Sequence, residues 1–363
     1  MLLILSFLVL QGCDQRHGIT NVYRGTRGVE IDFVNNAPPT EIIENTEAPV
    51  MIEVWNRGAY TIPSGDTVVN LRYDPIYFEL DHSDTNFYLA RNPDGVFNVL
   101  EGKSSSWPEG EKIILPFTKL ISKDIPGTRE SPITNLELVA CYNYKTFFSE
   151  MICLDTDVYE VDTDPICRNR GTYTHSNQGA PIAVNKIEVD MLPMGFVETD
   201  PSQPLEIPVY TEDGERMDPS GPAHSPGYDD EGNLGELNRD VTTERLILVE
   251  PVIRIYARNV GRGDVFTTTE NVDTVNLCAF RDHSFEFREH NKIKLTKANL
   301  DGLPMDCNKE LLNLANPSDF ITCRLNPEQT GYLRQNIQVP LDVEFEYHYR
   351  ESKTQQVRIR RST

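Results

Sequence analysis

The sequence predicts an all-β chain built from two similar domains, and three observations support this. From Val29 onward, apolar residues mostly alternate with polar ones, which is the periodicity of a half-buried strand. Breaks are frequent, because the chain holds 22 Gly and 24 Pro residues. Finally, 363 residues is well above the roughly 150 residues of an average domain, and two sequence patterns recur in the same order.

The N-terminus predicts a lipoprotein signal peptide. Residues 2–10 form an almost unbroken apolar run that is too short to span a bilayer. The run ends in Leu10-Gln11-Gly12-Cys13, which looks like a lipobox whose cysteine is lipidated before cleavage. We therefore interpret residues 1–12 as the signal peptide and 13–28 as a tether. The alternative is an ordinary secretory signal with an incidental cysteine.

Strand patterns are clearest in two places. Leu341 to Tyr349 alternates strictly, and Val357 and Ile359 continue the alternation after a predicted turn. Leu136 to Tyr144 alternates in the same way, and we expect a hairpin that returns after Lys145 to Ser149. Only Asn308 to Ala315 has the pattern of a short helix.

A duplication explains the recurring patterns. Val50 to Gly58 resembles Ile253 to Gly261 at an offset of 203 residues, and both segments end in Asn-x-Gly. Cys141 to Tyr144 resembles Glu346 to Tyr349 at an offset of 205. We place domain 1 at residues 29–164, a linker at 165–179 and domain 2 at 180–363. Chance similarity between amphipathic strands is the alternative.

Domain 2 contains an acidic insertion at residues 198–240, which is rich in Pro, Gly and Asp. Such a stretch buries little apolar area, so we expect a mobile loop between two strands. It is either a tolerated insertion or a binding loop.

Several segments resemble the immunoglobulin-like modules of archaeal cell-surface proteins, including the CARDB group, and especially lipobox-bearing surface proteins of small-genome archaea. The likeness is carried by residues 25–30, 37–39, 141–144, 152–155 and 178–184. The resemblance implies two tandem immunoglobulin-like β-sandwich domains in a cell-envelope protein without catalytic residues.

The net charge and the sequence motifs limit the functions that we expect of the chain. The formal net charge of −22 disfavours binding to nucleic acid. The sequence has no Gly-x-Ser-x-Gly, His-Glu-x-x-His or Cys-x-x-Cys motif, so we predict no catalytic residues and no enzymatic activity. Arg262-Gly263-Asp264 follows an Asn-x-Gly strand, where an adhesion receptor could read it, although a turn also favours Gly and Asp.

An acidic run near the predicted domain junction is a candidate calcium site. Asp155, Asp157, Asp162 and Asp164 offer the oxygen ligands that a hard cation needs. A solvated acidic linker is the favoured alternative, because no glycine turn organises the run. We predict no cofactor other than this calcium.

The cysteines predict disulfides, since six remain besides Cys13 in a secreted chain. The expected hairpin places Cys141 opposite Cys153, and Cys307 with Cys323 would close a local loop. Cys167 and Cys278 then either bridge the domains or stay free. A Cys153–Cys167 pair remains the competing arrangement, and it would overturn the hairpin register.

Together these features predict a non-enzymatic, lipid-anchored extracellular protein that acts in cell-envelope structure, surface assembly or attachment. Its expected partners are the membrane, reached through the lipid anchor, and other proteins or further copies at the cell surface. The alternative is a ligand-binding or hydrolytic exoprotein that uses the 198–240 insertion. The sequence leaves open who the partner is and whether the chain forms filaments, a lattice or monomers.

Overall fold

The structure of the chain is a computed structural model. It describes residues 23–80, 86–88, 99–127, 131–154, 167, 171–199, 209–210, 216–217, 244–268, 277–278, 289–325 and 337–362. The named elements in these ranges are all β-strands, and helical backbone occurs there only at Leu277 and Cys278. No helix among the described residues is long and apolar enough to cross a membrane. The predicted all-β class is therefore confirmed.

The first half of the chain supplies the strands β1 to β8. Their bounds are β1 Val29–Phe33, β2 Glu41–Ile43, β3 Glu47–Asn56, β4 Thr67–Arg72, β5 Phe78–Leu80, β6 Asn86–Tyr88, β7 Lys112–Ser122 and β8 Ile133–Leu154.

The second half supplies β9 to β20. Their bounds are β9 Thr172–Thr174, β10 Ile182–Thr199, β11 Val209–Tyr210, β12 Arg216–Met217, β13 Glu244–Asn259, β14 Asp264–Phe266, β15 Lys292–Leu300, β16 Leu303–Pro304, β17 Asp306–Cys307, β18 Leu311–Asn313, β19 Ile321–Arg324 and β20 Ile337–Arg360.

The described strands form three larger sheets. The first sheet has the order β1-β3-β7-β5, and the second has the order β17-β19-β13-β10-β9. The third, which we call the long sheet, has the order β16-β15-β20-β8-β4-β6, with β2 and β14 added on β20 and β18 added on β15. The first sheet takes all its strands from the first half of the chain and the second takes its strands from the second half, whereas the long sheet combines both halves.

Two unusually long strands hold the long sheet together. β8 has 22 residues and β20 has 24, and they pair antiparallel from Ile133 opposite Arg358 to Leu154 opposite Ile337. Both strands alternate between buried and more exposed side chains along most of their length, as a sheet with one covered face requires.

The expected hairpins are wrong, because each long strand continues through its predicted turn. Lys145 to Ser149 contains none of the Gly, Pro, Asn or Asp residues that a tight turn favours. Within it, Thr146 and Phe148 are buried while Lys145 and Phe147 are partly exposed, so the strand alternation persists. The Thr146 hydroxyl is buried at no cost in hydrogen bonding, since it donates to the carbonyl of Ile182 at 2.9 Å.

Both smaller sheets lie on the same face of the long sheet. The Tyr142 hydroxyl accepts a hydrogen bond from the N–H of Val29 in the first sheet at 3.1 Å. Thr146, four residues along β8 and therefore on the same face, contacts Ile182 in the second sheet. One continuous apolar core fills the space between the long sheet and the two smaller sheets. The two halves of the chain thus share a sheet and a core.

Three disulfides crosslink the described chain: Cys141–Cys278, Cys153–Cys167 and Cys307–Cys323. The predicted Cys307–Cys323 bond is confirmed, and these two residues lie directly opposite each other on β17 and β19. The predicted Cys141–Cys153 bond is wrong. Both residues lie on the continuous strand β8, where twelve residues separate them by about 40 Å.

The predicted helix at Asn308 to Ala315 is also wrong. Leu311–Asn313 forms the short strand β18, which pairs with β15. Only Leu312 of this strand is buried, so the segment has one inward position rather than a helical face. Asn313 and Asn316 then hydrogen-bond the backbone two residues on, which directs the chain into turns.

Candidate functional site

Four buried tyrosines mark the place where β8 and β20 pass from one half of the molecule to the other. Tyr142 lies opposite Tyr349, and Tyr144 lies opposite Tyr347. The ring centroids of these opposed pairs are 5.7 and 6.2 Å apart. Burial raises the pKa of all four phenols, so they stay protonated at neutral pH. Their hydroxyls therefore serve as hydrogen-bonding groups that join the sheets.

The first Asn-x-Gly motif is built around one of these tyrosines. Tyr144 donates a hydrogen bond to Oδ1 of Asn56 at 3.2 Å, and its oxygen accepts one from the N–H of Tyr60 at 3.3 Å. The Asn56 side chain also donates to the Tyr60 carbonyl and accepts from the Gly58 N–H. A Cβ at Gly58 would lie 1.8 Å from the Tyr144 oxygen, so this position requires glycine.

The second Asn-x-Gly motif repeats the same four hydrogen bonds. Tyr349 donates to Oδ1 of Asn259 at 3.4 Å and accepts from the Gly263 N–H at 2.7 Å. Asn259 donates to the Gly263 carbonyl and accepts from the Gly261 N–H. A Cβ at Gly261 would lie 2.2 Å from the Tyr349 oxygen. The recurring sequence pattern thus corresponds to a recurring hydrogen-bond network.

This network also accounts for most of the Arg262-Gly263-Asp264 tripeptide. A Cβ at Gly263 would lie 2.1 Å from the carbonyl oxygen of Arg350, so packing requires glycine there. The Asp264 carboxylate accepts two hydrogen bonds from the Arg350 guanidinium, at 2.7 and 3.2 Å. Local structure therefore explains Gly263 and Asp264 without a receptor.

A cavity of about 570 Å³ opens beside this turn, and we call it the junction cleft. Its walls come from β1, β3 and β7 of the first sheet, from β4, β8 and the Arg350 to Lys353 part of β20 in the long sheet, and from the turn at Arg262. Ten charged side chains in its lining form five ion pairs: Arg27–Glu30, Arg72–Glu137, Lys112–Glu53, Arg350–Asp264 and Lys353–Asp32. These pairs largely neutralise the walls.

Two charged residues of the junction cleft remain outside these pairs. Among the described residues, the side chains of Arg262 and Glu351 make no ion pair or hydrogen bond with another residue. Burial and the nearby Glu30 carboxylate raise the pKa of Glu351, whereas Arg262 and Arg27 act in the opposite direction. Arg262 and Glu351 also line a neighbouring cavity of about 280 Å³, so they stand where the two cavities meet.

Most of the residues that the sequence predicts as sites lie outside the described residues. These are Cys13 and the acidic residues Asp155, Asp157, Asp162 and Asp164. The described Cys153–Cys167 disulfide joins two residues that lie on either side of the acidic run in the sequence. Of the 198–240 insertion, the structure describes the end of β10 and the two-residue strands β11 and β12, which pair with each other. The described residues hold no group of three or more His, Cys, Asp or Glu side chains that could bind a metal ion.

No pattern in the sequence predicted the junction cleft. The Asn-x-Gly motifs were visible, but their tyrosine partners lie 88 and 90 residues away. Glu351 falls in the segment that was expected to be a turn. A turn residue would point into solvent, whereas on a continuous strand Glu351 faces the cleft.

Comparisons with known proteins leave the family open. No model of a known protein family matches the chain, and no curated protein matches it.

Proposed function

We propose that the chain is a non-enzymatic extracellular protein, anchored by a lipid on Cys13, that acts in cell-envelope structure, surface assembly or attachment. In this proposal each smaller sheet, with the part of the long sheet beneath it, is one immunoglobulin-like sandwich of the archaeal surface type. The domain limits near residues 29–164 and 180–363 then divide the chain in sequence but not in space, because β8 and β20 each extend into the opposite sandwich.

The observation that carries the proposal is the crosslinked long sheet. Three disulfides are typical of an oxidising, extracellular compartment. Two of them fix β8, one to the segment at Cys278 and one to Cys167. Pulling the two halves apart along β8 and β20 would load the hydrogen bonds of the entire strand pair together. A crosslinked sheet of this kind suits an extracellular protein that must resist mechanical force.

Cell fractionation tests the anchor. The mature N-terminus should be Cys13 carrying a lipid adduct by mass spectrometry, and Cys13→Ser should leave the membrane fraction. Ser6→Ala, a change in the same N-terminal segment that keeps the cysteine, should partition as the wild type does. An unmodified mature N-terminus at another residue would contradict the proposal.

The insertion provides the test against a hydrolytic role. Thr199 on β10 lies opposite Glu244 on β13, so a short glycine-containing turn can replace the residues between them. This deletion should leave membrane association and thermal stability unchanged. If the purified wild-type chain hydrolyses peptides or glycans and the deletion abolishes that activity, the proposal is wrong.

The calcium site at Asp155 to Asp164 stays a prediction. If calcium binds there, adding a chelator should lower the melting temperature of the mature chain.

A further inference from the structure

The duplicated fold produces a second cavity, which also lies beside the paired strands β8 and β20. This cavity, of about 620 Å³, is lined by Phe147, Phe148 and Glu150 of β8 and by Asp342 and Glu344 of β20. Asp342 and Glu344 follow Glu137 and Val139 of the junction cleft by the repeat offset of 205 residues. The repeated fold therefore accounts for the presence of both cavities. The two cavities differ in the residues that line them. Of these two described cavities, the junction cleft is the one lined by five ion pairs.

The two unpaired charges of the junction cleft are held in place by different elements. Arg262 lies between two glycines whose N–H groups are both fixed, Gly261 on Asn259 and Gly263 on Tyr349. Glu351 directly follows Arg350, which is the last residue of β20 that pairs with β14. The backbone positions of the cation and the carboxylate are therefore preorganised, which lowers the entropic cost of binding a ligand between them.

The charge of the lining defines the ligand. With every other charge in the cleft already paired, an isolated cation would leave Arg262 unpaired and an isolated anion would leave Glu351 unpaired. A ligand with an ammonium and a carboxylate pairs both. We propose that the junction cleft binds a zwitterion, an amino acid or a short peptide with free termini, through Glu351 and Arg262. A volume of about 570 Å³ lies within the usual range of small-ligand pockets.

Ligand-detected NMR and calorimetry on the mature chain test this proposal with alanine, dialanine and trialanine as probes. At least one probe should bind, and the probe with the highest affinity reports the length that fits the cleft. Acetylating the amino group or amidating the carboxyl group of that probe should each weaken binding about tenfold or more, because each removes one charge-assisted contact. Absence of binding by all three probes at about 10 mM, which would nearly saturate a site with a dissociation constant of about 1 mM, would overturn the proposal.

Variants then assign each end of the ligand. Glu351→Gln should weaken binding about as much as acetylation, and acetylation should cause no further loss in this variant. Amidation should still weaken binding to Glu351→Gln but should have no further effect on Arg262→Gln. Arg262→Lys should restore part of the affinity, because it keeps the charge.

A matched control separates this result from general charge effects. Lys119→Gln removes a cation whose partner is Glu47, outside the cleft lining, and it should bind the probe as the wild type does. Equal losses in Lys119→Gln and Arg262→Gln, or losses from acetylation and Glu351→Gln that simply add, would overturn the assignment. This test uses the mature chain in solution, so a negative result leaves the lipid anchor untouched.

Discussion

Removing the Tyr144 hydroxyl should destabilise the whole molecule. Tyr144→Phe deletes the hydrogen bond to Asn56 at 3.2 Å and the one from the Tyr60 N–H at 3.3 Å, while the buried ring stays in place. Asn56 keeps its bond from Gly58, so only the Tyr60 N–H loses its partner. We expect the free energy of unfolding to fall by about 1–3 kcal/mol. Urea unfolding followed by circular dichroism measures this loss.

The matched variant Tyr349→Phe makes the test specific to the shared sheet. It removes the equivalent hydroxyl in the other half. The chain should still unfold in one transition, and the free energy of unfolding should fall by a similar amount. Tyr256→Phe, whose partly exposed hydroxyl bonds Glu188, should cost less than about 1 kcal/mol. Two separate transitions, each moved by only one of the buried variants, would refute the reasoning.

Three further variants test packing, charge and crosslinking at β8 and β20. Gly261→Ala should unfold at a lower temperature than the wild type, because its Cβ would lie 2.2 Å from the Tyr349 oxygen, and wild-type stability would contradict this packing. Glu351→Gln should stabilise the unliganded chain at neutral pH. The raised pKa means that the folded state binds this proton more tightly than the unfolded state, so ionisation of Glu351 costs stability as pH rises through that pKa. The gain should vanish below the ordinary pKa of Glu, and a gain independent of pH would contradict its cause. Replacing Cys141 and Cys278 together should cost about 5 kcal/mol by loop entropy, given their separation of 137 residues, and an unchanged urea midpoint would refute the bond.

Local patterns in the sequence predict much of this fold. The alternation from Leu341 to Tyr347 corresponds to buried and partly exposed positions on β20, whereas His348, expected on the polar face, is buried. The paired Asn-x-Gly motifs correspond to equivalent networks around Tyr144 and Tyr349. Cys307 and Cys323 are only 16 residues apart, so closure of a local loop suggested their bond. These features depend on short-range chemistry or on repetition, which a single sequence displays directly.

Long-range pairing was not predictable in the same way. Alternation in residues 136–144 and 150–154 is compatible with a hairpin or with one continuous strand, and only the absence of turn residues from Lys145 to Ser149 favours the second. Once the hairpin is assumed, Cys141 is matched with Cys153 instead of Cys278. The junction cleft combines residues as distant as Arg27 and Lys353, so no local pattern could reveal it.

The pairing of β8 with β20 is the central claim, and an engineered crosslink tests it most directly. Asn135 and Gln356 are exposed and lie opposite each other near one end of the strand pair. Cysteines at both positions should form a disulfide without reductant, and peptide mapping should recover it beside the three native bonds. If these cysteines stay reduced, or pair only with native cysteines, the two halves of the chain do not share this sheet.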